Sequence, residues 1–411
     1  MKRISFSMAE ARNLSPEERI TATYRNDVLK APFYGVLEAG WSTFVLLIAI
    51  RQFNAPDSYK AFIAGASPIG FLLAPVTIYF AARWQLLPSL LSACLFSLTA
   101  LLIFGATVIE SLVLFTALMM TSQIAAVQQG PLMTQIYAEN YPASQRGSRI
   151  AMPFILASLS TILFSLAGGQ VLDQSMIYYR YLLWVMAISA VVYSWIIKRI
   201  PSTPLSSKTV GNPWQNLSLI WKDRFFGYLL GSWMLLGLGY MITVPIRVEY
   251  LANPDYGINS NNVAIAFLLA VIPSTVRIFS TRLWGHVFDR FHLITTRNLL
   301  NTFSLVSILL FFFAENIIVL TVAMVFAGLS MGGGKIIWHL WVTKIAPPEK
   351  VSAYMSVHMA LTGMRGTLAP FIAYWILNKS APQGVALVGM VLIFVSIVLF
   401  ECLRNHKRFS D

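Results

Sequence analysis

Long apolar runs alternate with short polar segments along nearly the whole chain. A helix needs about 20 apolar residues to cross the hydrocarbon core of a bilayer, and each run approaches that length. The pattern therefore predicts an all-α polytopic membrane protein with twelve transmembrane helices and no large domain outside the membrane. The predicted spans are residues 32–50, 61–82, 87–108, 111–136, 148–171, 180–198, 225–246, 262–284, 296–314, 317–343, 352–377 and 383–402.

Short motifs recur in the two halves of the chain at an offset near 205 residues. Pro142 corresponds to Pro347, and Leu172-Asp173 corresponds to Leu377-Asn378. A shared offset indicates an internal repeat of six spans. The predicted organisation is a cytoplasmic N-terminal segment with a short amphipathic helix (1–31), a first six-helix bundle (32–199), a cytoplasmic linker with an interfacial helix (200–224), a second six-helix bundle (225–403) and a cytoplasmic tail (404–411).

Helix-start signals precede the first span of each half. Ser15 is followed by Pro16 and, three residues on, by Glu18, which is the pattern of a capping box with Pro at the first helical position. Asn212-Pro213, just before Trp214, shows the same pattern of a capping residue followed by Pro. Each half is therefore predicted to begin with a short helix at the membrane surface.

Composition and charge support membrane insertion and exclude other classes. The chain is 57% hydrophobic and only 11% charged, with a net charge of +13. Most of the Lys and Arg residues fall in segments on one side of the predicted spans, which places both termini in the cytoplasm and the protein in the cell membrane. We therefore expect the positive charge to reflect topology, with no nucleic acid as partner. Only two cysteines occur, so a disulfide or a multi-cysteine metal site is not expected.

The segment 282–297, RLWGHVFDRFHLITTR, lies between spans eight and nine. Its Gly285, Asp289-Arg290 and Arg297 resemble the G-x-x-x-D-R loop motif of the major facilitator superfamily. Together with the count of six plus six spans, the resemblance covers essentially the whole chain. It implies two pseudo-symmetric six-helix bundles that open a central cavity alternately to either side, with Gly285, Asp289, Arg290 and Arg297 forming a cytoplasmic gate. We expect Gly285 to permit a close helix approach.

The chain also departs from the patterns of that superfamily. The loop after span two, 79–88, contains Arg83 but no Asp, so the gate motif is kept only in the second half. Span four has Gln128 and Gln129 where many proton-coupled members have an arginine. Span five lacks the Gly-Pro pair that is typical of the drug antiporters.

Four ionisable residues fall well inside the predicted spans: Glu38, Arg277, Lys335 and Arg365. A charge at the centre of a bilayer costs on the order of 2.5–3.5 kcal/mol, so such residues favour function over chance. Simpler explanations stay open. Arg277 could reach the membrane surface or pair with Asp289, and Glu38 could be a structural counter-ion.

Three cations against one carboxylate indicate an anionic solute. The predicted substrate-binding residues are Arg365, Lys335 and Arg277 from the second half, joined by Gln128 and Tyr34 from the first. Glu38 is the predicted coupling residue, because it is the one carboxylate placed inside a span and a proton or another ion could bind there. The sequence thus predicts a secondary transporter of a small, anionic solute.

Two alternative functions remain at this point: export of amphipathic or lipophilic compounds, favoured by the aromatic residues of the spans, and a non-transporting membrane sensor or scaffold. An enzyme is not expected. Gly332-Gly333-Gly334-Lys335 lacks the Ser/Thr and the first glycine of a phosphate loop, since Ile336 and Leu329 occupy those positions. We expect no cofactor, no metal, and a monomer in the lipid bilayer.

Overall fold

The computed structural model describes residues 14–142, 145–205, 216–256, 258–314, 316–347 and 350–409 of the 411-residue chain. These residues are nearly all helical, and twelve long helices follow one another in the chain. They are α1 (Pro16–Arg51), α2 (Asp57–Arg83), α3 (Pro88–Val108), α4 (Leu112–Asn140), α5 (Arg146–Gln174), α6 (Tyr179–Ile197), α7 (Arg224–Ala252), α8 (Asn262–Ala266, a π-helical turn Phe267–Val271, and Ile272–Arg290), α9 (Leu293–Phe312), α10 (Ile317–Leu340), α11 (Val351–Leu377) and α12 (Pro382–Cys402).

Eleven of the described helices are long and apolar enough to cross a membrane. The twelfth long helix, α11, has the required length but carries His358, Thr362 and Arg365, all of them buried. Buried polar residues in a membrane helix face other helices rather than lipid, because lipid offers them no partner. The predicted all-α architecture of twelve spans is confirmed.

The N-terminal helix is longer than predicted. The capping box forms as expected: the Ser15 N–H donates to Glu18 Oε2 at 2.9 Å, and the Glu18 N–H donates to Ser15 Oγ at 3.3 Å. The helix that it starts does not stop before the first span, however, but continues through a π-helical turn at Gly40–Phe44 to Arg51. The separate short helix was a wrong prediction, because the helix passes through Pro32 without a break and its residues before the predicted span are already packed inside the protein, Asp27 and Lys30 among them.

The interfacial helix predicted from Asn212-Pro213 falls partly outside the described residues. The described part of the linker contains one short helix, Leu219–Lys222, directly before α7.

The internal repeat is visible in the positions at which the helices begin. Corresponding first residues lie 205 positions apart for four successive helix pairs: Asp57 and Asn262, Pro88 and Leu293, Leu112 and Ile317, and Arg146 and Val351. The spacing from one helix start to the next is therefore the same in the two halves at these positions, which supports the predicted pseudo-symmetry.

The helices group into two compact units. The first comprises 1–45 and 73–212, and the second comprises 46–72 and 213–411. The end of α1 and the first half of α2 thus belong to the second unit, whereas the sequence repeat would assign them to the first bundle. The bundle boundaries at 32–199 and 225–403 remain a proposal based on the repeat.

In the first unit, α1 packs tightly on α5 at Gly35. A Cβ added there would lie 2.1 Å from the carbonyl oxygen of Ala157, so only glycine fits. Thr161 closes the contact by donating from Oγ1 to the carbonyl oxygen of Gly35 at 2.9 Å. Close backbone approach of this kind replaces the hydrophobic effect as a source of helix association within lipid.

In the second unit, glycines bring two pairs of helices together. A Cβ at Gly328 or Gly332 of α10 would clash with α8, at Val276 and Ser280 respectively. On α11, a Cβ at Gly363 would lie 2.7 Å from the backbone nitrogen of Leu72, in α2. Close packing at the glycine-rich stretch of α10 agrees with the sequence, and the helix runs through that stretch without a break.

The chain end docks beside the start of α7. Arg408 Nη1 lies 2.7 Å from Asp223 Oδ2, and the same carboxylate oxygen accepts a hydrogen bond from the Tyr354 hydroxyl at 2.7 Å. Asp223 Oδ1 also caps α7 by accepting from the Phe226 N–H at 3.1 Å. Burial alone would raise the pKa of Asp223, but these hydrogen bonds from Arg408, Tyr354 and Phe226 outweigh it and lower the pKa below its ordinary value.

The lowered pKa predicts a pH-dependent contribution of Asp223 to stability. A carboxyl with a depressed native pKa stabilises the fold fully above its unfolded-state pKa, about 4, and loses that contribution as the pH falls through the lowered pKa. Asp223→Asn keeps a good N-cap residue but removes the charge. We expect its Tm to lie a few degrees below that of wild type at neutral pH, with the gap closing in acid. A gap that is independent of pH would show that the charge of Asp223 contributes nothing.

Candidate functional site

The first unit contains a buried polar cluster around Lys30 of α1. Lys30 Nζ lies 2.6 Å from Asp27 Oδ1, and the Tyr137 hydroxyl donates to both oxygens of Asp27 at 2.9 Å. Lys30 Nζ also lies 5.0 Å from the ring centroid of Tyr193, whose hydroxyl donates to Gln129 Oε1 at 2.5 Å. Asp27 is fully buried. Because Lys30 and Asp27 neutralise each other, this cluster presents no net charge.

The other predicted residues of the first unit lie near this cluster or on the broken helix α4. Tyr34 packs at 6.0 Å between ring centroids against Tyr193, and Glu38, one turn further along α1, is half-buried. Gln128 sits where α4 is interrupted, between Leu112–Val127 and Gln129–Asn140. Its Oε1 accepts from the Thr77 hydroxyl at 2.9 Å and its Nε2 donates to the Ile124 carbonyl at 3.0 Å. Gln128 therefore stabilises the break in α4.

The second unit contains a cationic cluster around Trp233 of α7. The guanidinium of Arg365 donates from Nη1 to the Trp233 carbonyl oxygen. Arg297 of α9 stacks on the indole, with its Cζ 4.4 Å from the ring centroid. Arg365 is only 8% exposed and Arg297 only 7%. Two buried cations thus converge on one tryptophan.

Aromatic and imidazole rings line the rest of the Trp233 cluster. The ring of Trp233 stacks on that of Trp341 at 5.3 Å, and His358 packs against Trp233, Trp341 and Trp338 at 5.4, 5.1 and 5.3 Å between centroids. Trp233, Trp341 and His358 are buried. Arg297 stacks on one of these rings, and none of the rings carries a negative charge that would neutralise Arg297 or Arg365.

Gly237 makes room for Arg365. A Cβ at Gly237 would lie 1.9 Å from the Cζ of Arg365 and 2.2 Å from its Nη1. The guanidinium therefore occupies the space that any other side chain at position 237 would fill. The backbone of α7 supplies both the space and, through the Trp233 carbonyl, the hydrogen-bond acceptor.

Neither arginine is paired with an acid in the described part of the chain. The ion pairs among described side chains include neither Arg297 nor Arg365, and the Nε of each has no hydrogen-bond partner there. A buried charge without a counter-ion is costly. Among the described side chains, the Trp233 cluster therefore carries a net positive charge.

The remaining predicted cations lie on two neighbouring helices. Arg277 of α8 is half-buried, and Lys335 of α10 is exposed. The contacts that define the Trp233 cluster are made by Arg365 and Arg297. Substrate-binding roles for Lys335 and Arg277 stay predictions.

A second set of buried charges lies at the end of α7, near the loop between α1 and α2. Lys60 Nζ lies 2.9 Å from both oxygens of Glu249 and 2.7 Å from Asp57 Oδ1. Asn253 adds a hydrogen bond from Nδ2 to Glu249 Oε1 at 2.9 Å. Arg51 caps the end of α7 by donating from Nε to the Ala252 carbonyl at 3.2 Å. These contacts tie α1 and α2 to α7 within the second unit.

No protein-family model matches the chain, and no curated protein matches its sequence. Solved structures do match its fold. The nucleoside transporter NupG, as its D323A mutant, superimposes with a TM-score of 0.75 at 12% identity, covering 92% of this chain and 98% of that chain. A D-xylose-proton symporter gives a TM-score of 0.67 at 12% identity, with 92% and 97% covered. A bacterial homologue of the human lysosomal transporter Spinster gives 0.65 at 11% identity, with 96% and 98% covered.

The chain has the major facilitator fold. Identities this low establish the fold and leave the solute open. The fold and the apolar helices together make this a multi-pass membrane protein. Because the major facilitator fold consists of two six-helix repeats, it also accounts for the 205-residue spacing of the helix starts.

The motif that resembles the major facilitator superfamily is only partly as predicted. Gly285 does not mediate a close approach, since a Cβ there would meet no described atom within 4 Å. A close contact between α8 and α10 is made by the neighbouring residue, Trp284. A Cβ added to Gly333 of α10 would lie 2.7 Å from the ring of Trp284. Arg290 is exposed, and the side chain of Asp289 lies outside the described part. Arg297 is buried on Trp233, near the start of α9. The gate roles of Asp289, Arg290 and Arg297 stay predictions.

The sequence missed several buried charges because they lie just beyond the predicted span ends. Asp27, Lys30, Lys60 and Glu249 all fall outside the spans 32–50, 61–82 and 225–246, yet the helices extend past those limits and bury them. Glu38 is consequently not the only carboxylate inside the protein, since Asp27 and Glu249 are buried more deeply. The cations are also not confined to the second half, because Lys30 lies in α1. The helical periodicity of the first apolar run, extended towards the N-terminus, could have indicated that Asp27 and Lys30 are buried.

Proposed function

We propose that the protein is a secondary active transporter that moves a small anionic solute by alternating access. We place it in the cell membrane with both termini in the cytoplasm, as the distribution of Lys and Arg indicates. The observation that carries the anionic solute is the Trp233 cluster, in which Arg365 and Arg297 are buried without a described carboxylate.

The energetics of burial favour an anion over a neutral solute. Guanidinium groups remain charged under physiological conditions and present several N–H donors in a fixed plane. Arg365 donates from Nη1 to the Trp233 carbonyl, and its Nε has no hydrogen-bond partner among the described atoms. A carboxylate or phosphate would satisfy both the charge and the free donors through bidentate hydrogen bonds.

Transport is supported by the major facilitator fold. The similar solved structures are described as a nucleoside transporter, a D-xylose-proton symporter and a homologue of a lysosomal transporter. Their named solutes differ from one another, so the local chemistry of this chain has to specify its own solute.

Coupling to a proton or another ion belongs to the same proposal. Glu38 is our coupling residue, since it lies half-buried on α1 within one turn of Tyr34. Asp27 is held by Lys30 and Tyr137, and Glu249 by Lys60 and Asn253, which favours structural roles for those two carboxylates.

Uptake by purified protein in liposomes tests the proposal. We expect accumulation of one or more members of a panel of carboxylates and phosphate esters, and no accumulation of neutral sugars or lipophilic cations. Counterflow exchange in the same liposomes establishes translocation. Binding without counterflow would indicate a sensor or scaffold, and uptake confined to lipophilic compounds would indicate the exporter instead.

A further inference from the structure

We infer that Arg297 and Arg365 together bind one dianionic group of the solute, such as a phosphate monoester. This inference rests on the proposed function and deepens it, because it specifies the charge of the solute and adds Arg297 to the binding site. Arg297 then acts in recognition rather than in the cytoplasmic gate.

The first support is convergence of the two side chains. Arg297 comes from the first turns of α9, and Arg365 from the middle of α11. Both reach Trp233, one on the face of the indole and the other at the carbonyl oxygen. Helix packing therefore brings two positively charged side chains to one tryptophan.

The second support is the absence of a compensating acid in the described surroundings. The rings that line the cluster belong to Trp233, Trp341, Trp338 and His358, and none of these side chains is an anion. Asp223, beside the start of α7, is engaged by Arg408 and Tyr354. The two guanidinium groups therefore leave a local charge of about +2 for a ligand to neutralise.

Charge matching then determines the class of ligand. A monoanion would neutralise one guanidinium and leave the other buried and unpaired, at a cost that buried charges rarely bear. A dianion neutralises both. A phosphate monoester also has three terminal oxygens, which suit the planar arrays of N–H donors of two arginines.

The test compares two probes that have the same shape and different charge. Methyl phosphate is mostly dianionic at about pH 8, because its second ionisation lies near pH 6, whereas methyl sulfate stays a monoanion. Binding is measured by calorimetry on the full-length protein in phosphatidylcholine nanodiscs. We expect wild type to bind methyl phosphate at least tenfold more tightly than methyl sulfate at about pH 8, and expect this ratio to fall towards one at about pH 5.

Substitutions at Arg297 test whether this residue causes the preference for methyl phosphate over methyl sulfate. Arg297→Gln should reduce the ratio to about one and retain methyl sulfate binding through Arg365, whereas Arg297→Lys should keep part of the preference. Arg282→Gln removes an exposed arginine of α8 and should leave the ratio unchanged. A ratio near one in wild type, or an unchanged ratio in Arg297→Gln, overturns the inference while leaving an anionic solute possible. Failure of both probes and of every anion in the panel overturns the proposed function as well.

A lipid headgroup could supply the same phosphate chemistry. Adding phosphatidic acid to the nanodiscs distinguishes the two sources. For a solute site we expect the affinity for methyl phosphate to stay the same. Competitive loss of methyl phosphate binding would identify a lipid as the occupant and overturn the assignment to a solute.

Discussion

Arg365→Gln is expected to weaken binding of the anionic solute at least about thirtyfold, which corresponds to about 2 kcal/mol. This value is the lower end of the cost of removing one member of a buried charge pair. The physical reason is that the guanidinium of Arg365 is buried beside Trp233 without a described carboxylate, and its Nε has no described hydrogen-bond partner. Calorimetric binding of the transported anion, followed by uptake in liposomes, measures the loss. Arg365→Lys should recover little, because an ammonium group cannot reproduce the planar array of donors.

A substitution at Gly237 should reproduce this loss with Arg365 intact. The added side chain of Gly237→Val would occupy the position of the guanidinium, which lies 1.9 Å from where a Cβ would be. Gly231→Val is the matched control on the same helix, since a Cβ there meets nothing within 4 Å among described atoms. Equal affinity in Gly237→Val and Gly231→Val would show that the position of Arg365 is irrelevant to binding.

Lys60→Met is expected to destabilise the protein by about 3–5 kcal/mol, because it leaves the carboxylate of Glu249 buried without its cation. Glu249 is 1% exposed and would keep the hydrogen bond from Asn253 but lose its cation. A loss of this size should lower the Tm by roughly 4–6 °C in detergent. Glu249→Gln should cost less, since Lys60 keeps its ion pair with Asp57.

The double variant Lys60→Met/Glu249→Gln completes a thermodynamic cycle. Removing both charges should recover part of the stability lost in Lys60→Met, because no buried charge is then left unpaired. Lys222→Met, at an exposed lysine of the same unit, is the control and should change the stability by less than about 0.5 kcal/mol. Additive effects of the two single substitutions would mean that the pair contributes no coupling energy.

Much of the fold could be predicted from the sequence because membrane insertion is a local requirement. Each span must satisfy its own backbone hydrogen bonds and present an apolar surface, so the length of an apolar run is sufficient to locate a helix. The prediction is least accurate at the ends of the helices. Span one was predicted to begin at residue 32, but α1 begins at Pro16, where the cap at Ser15 starts the helix, and it passes through Pro32 into the apolar run.

The candidate site could be predicted only in part. Arg365 was identified because a charge in the middle of an apolar run is visible in the sequence. Arg297 was placed in the gate because it follows the Asp289-Arg290 motif, and its contact with Trp233 joins helices that are distant in the chain. The role of Gly237 could not be predicted from the sequence. Glycine is needed there because a side chain would clash with that of Arg365, which lies on another helix.

The sequence alone determined the twelve helices, the two-fold repeat and the presence of charges inside the membrane region, because these depend on apolar length, spacing and residue type. Only the tertiary structure decided which charges are neutralised. Lys60 and Glu249 lie 189 positions apart and form an ion pair, whereas Arg297 and Arg365 converge without an acid in the described part of the chain. The physical reason is that charge pairing depends on distances of a few ångströms between helices, and helix packing rather than sequence order sets those distances.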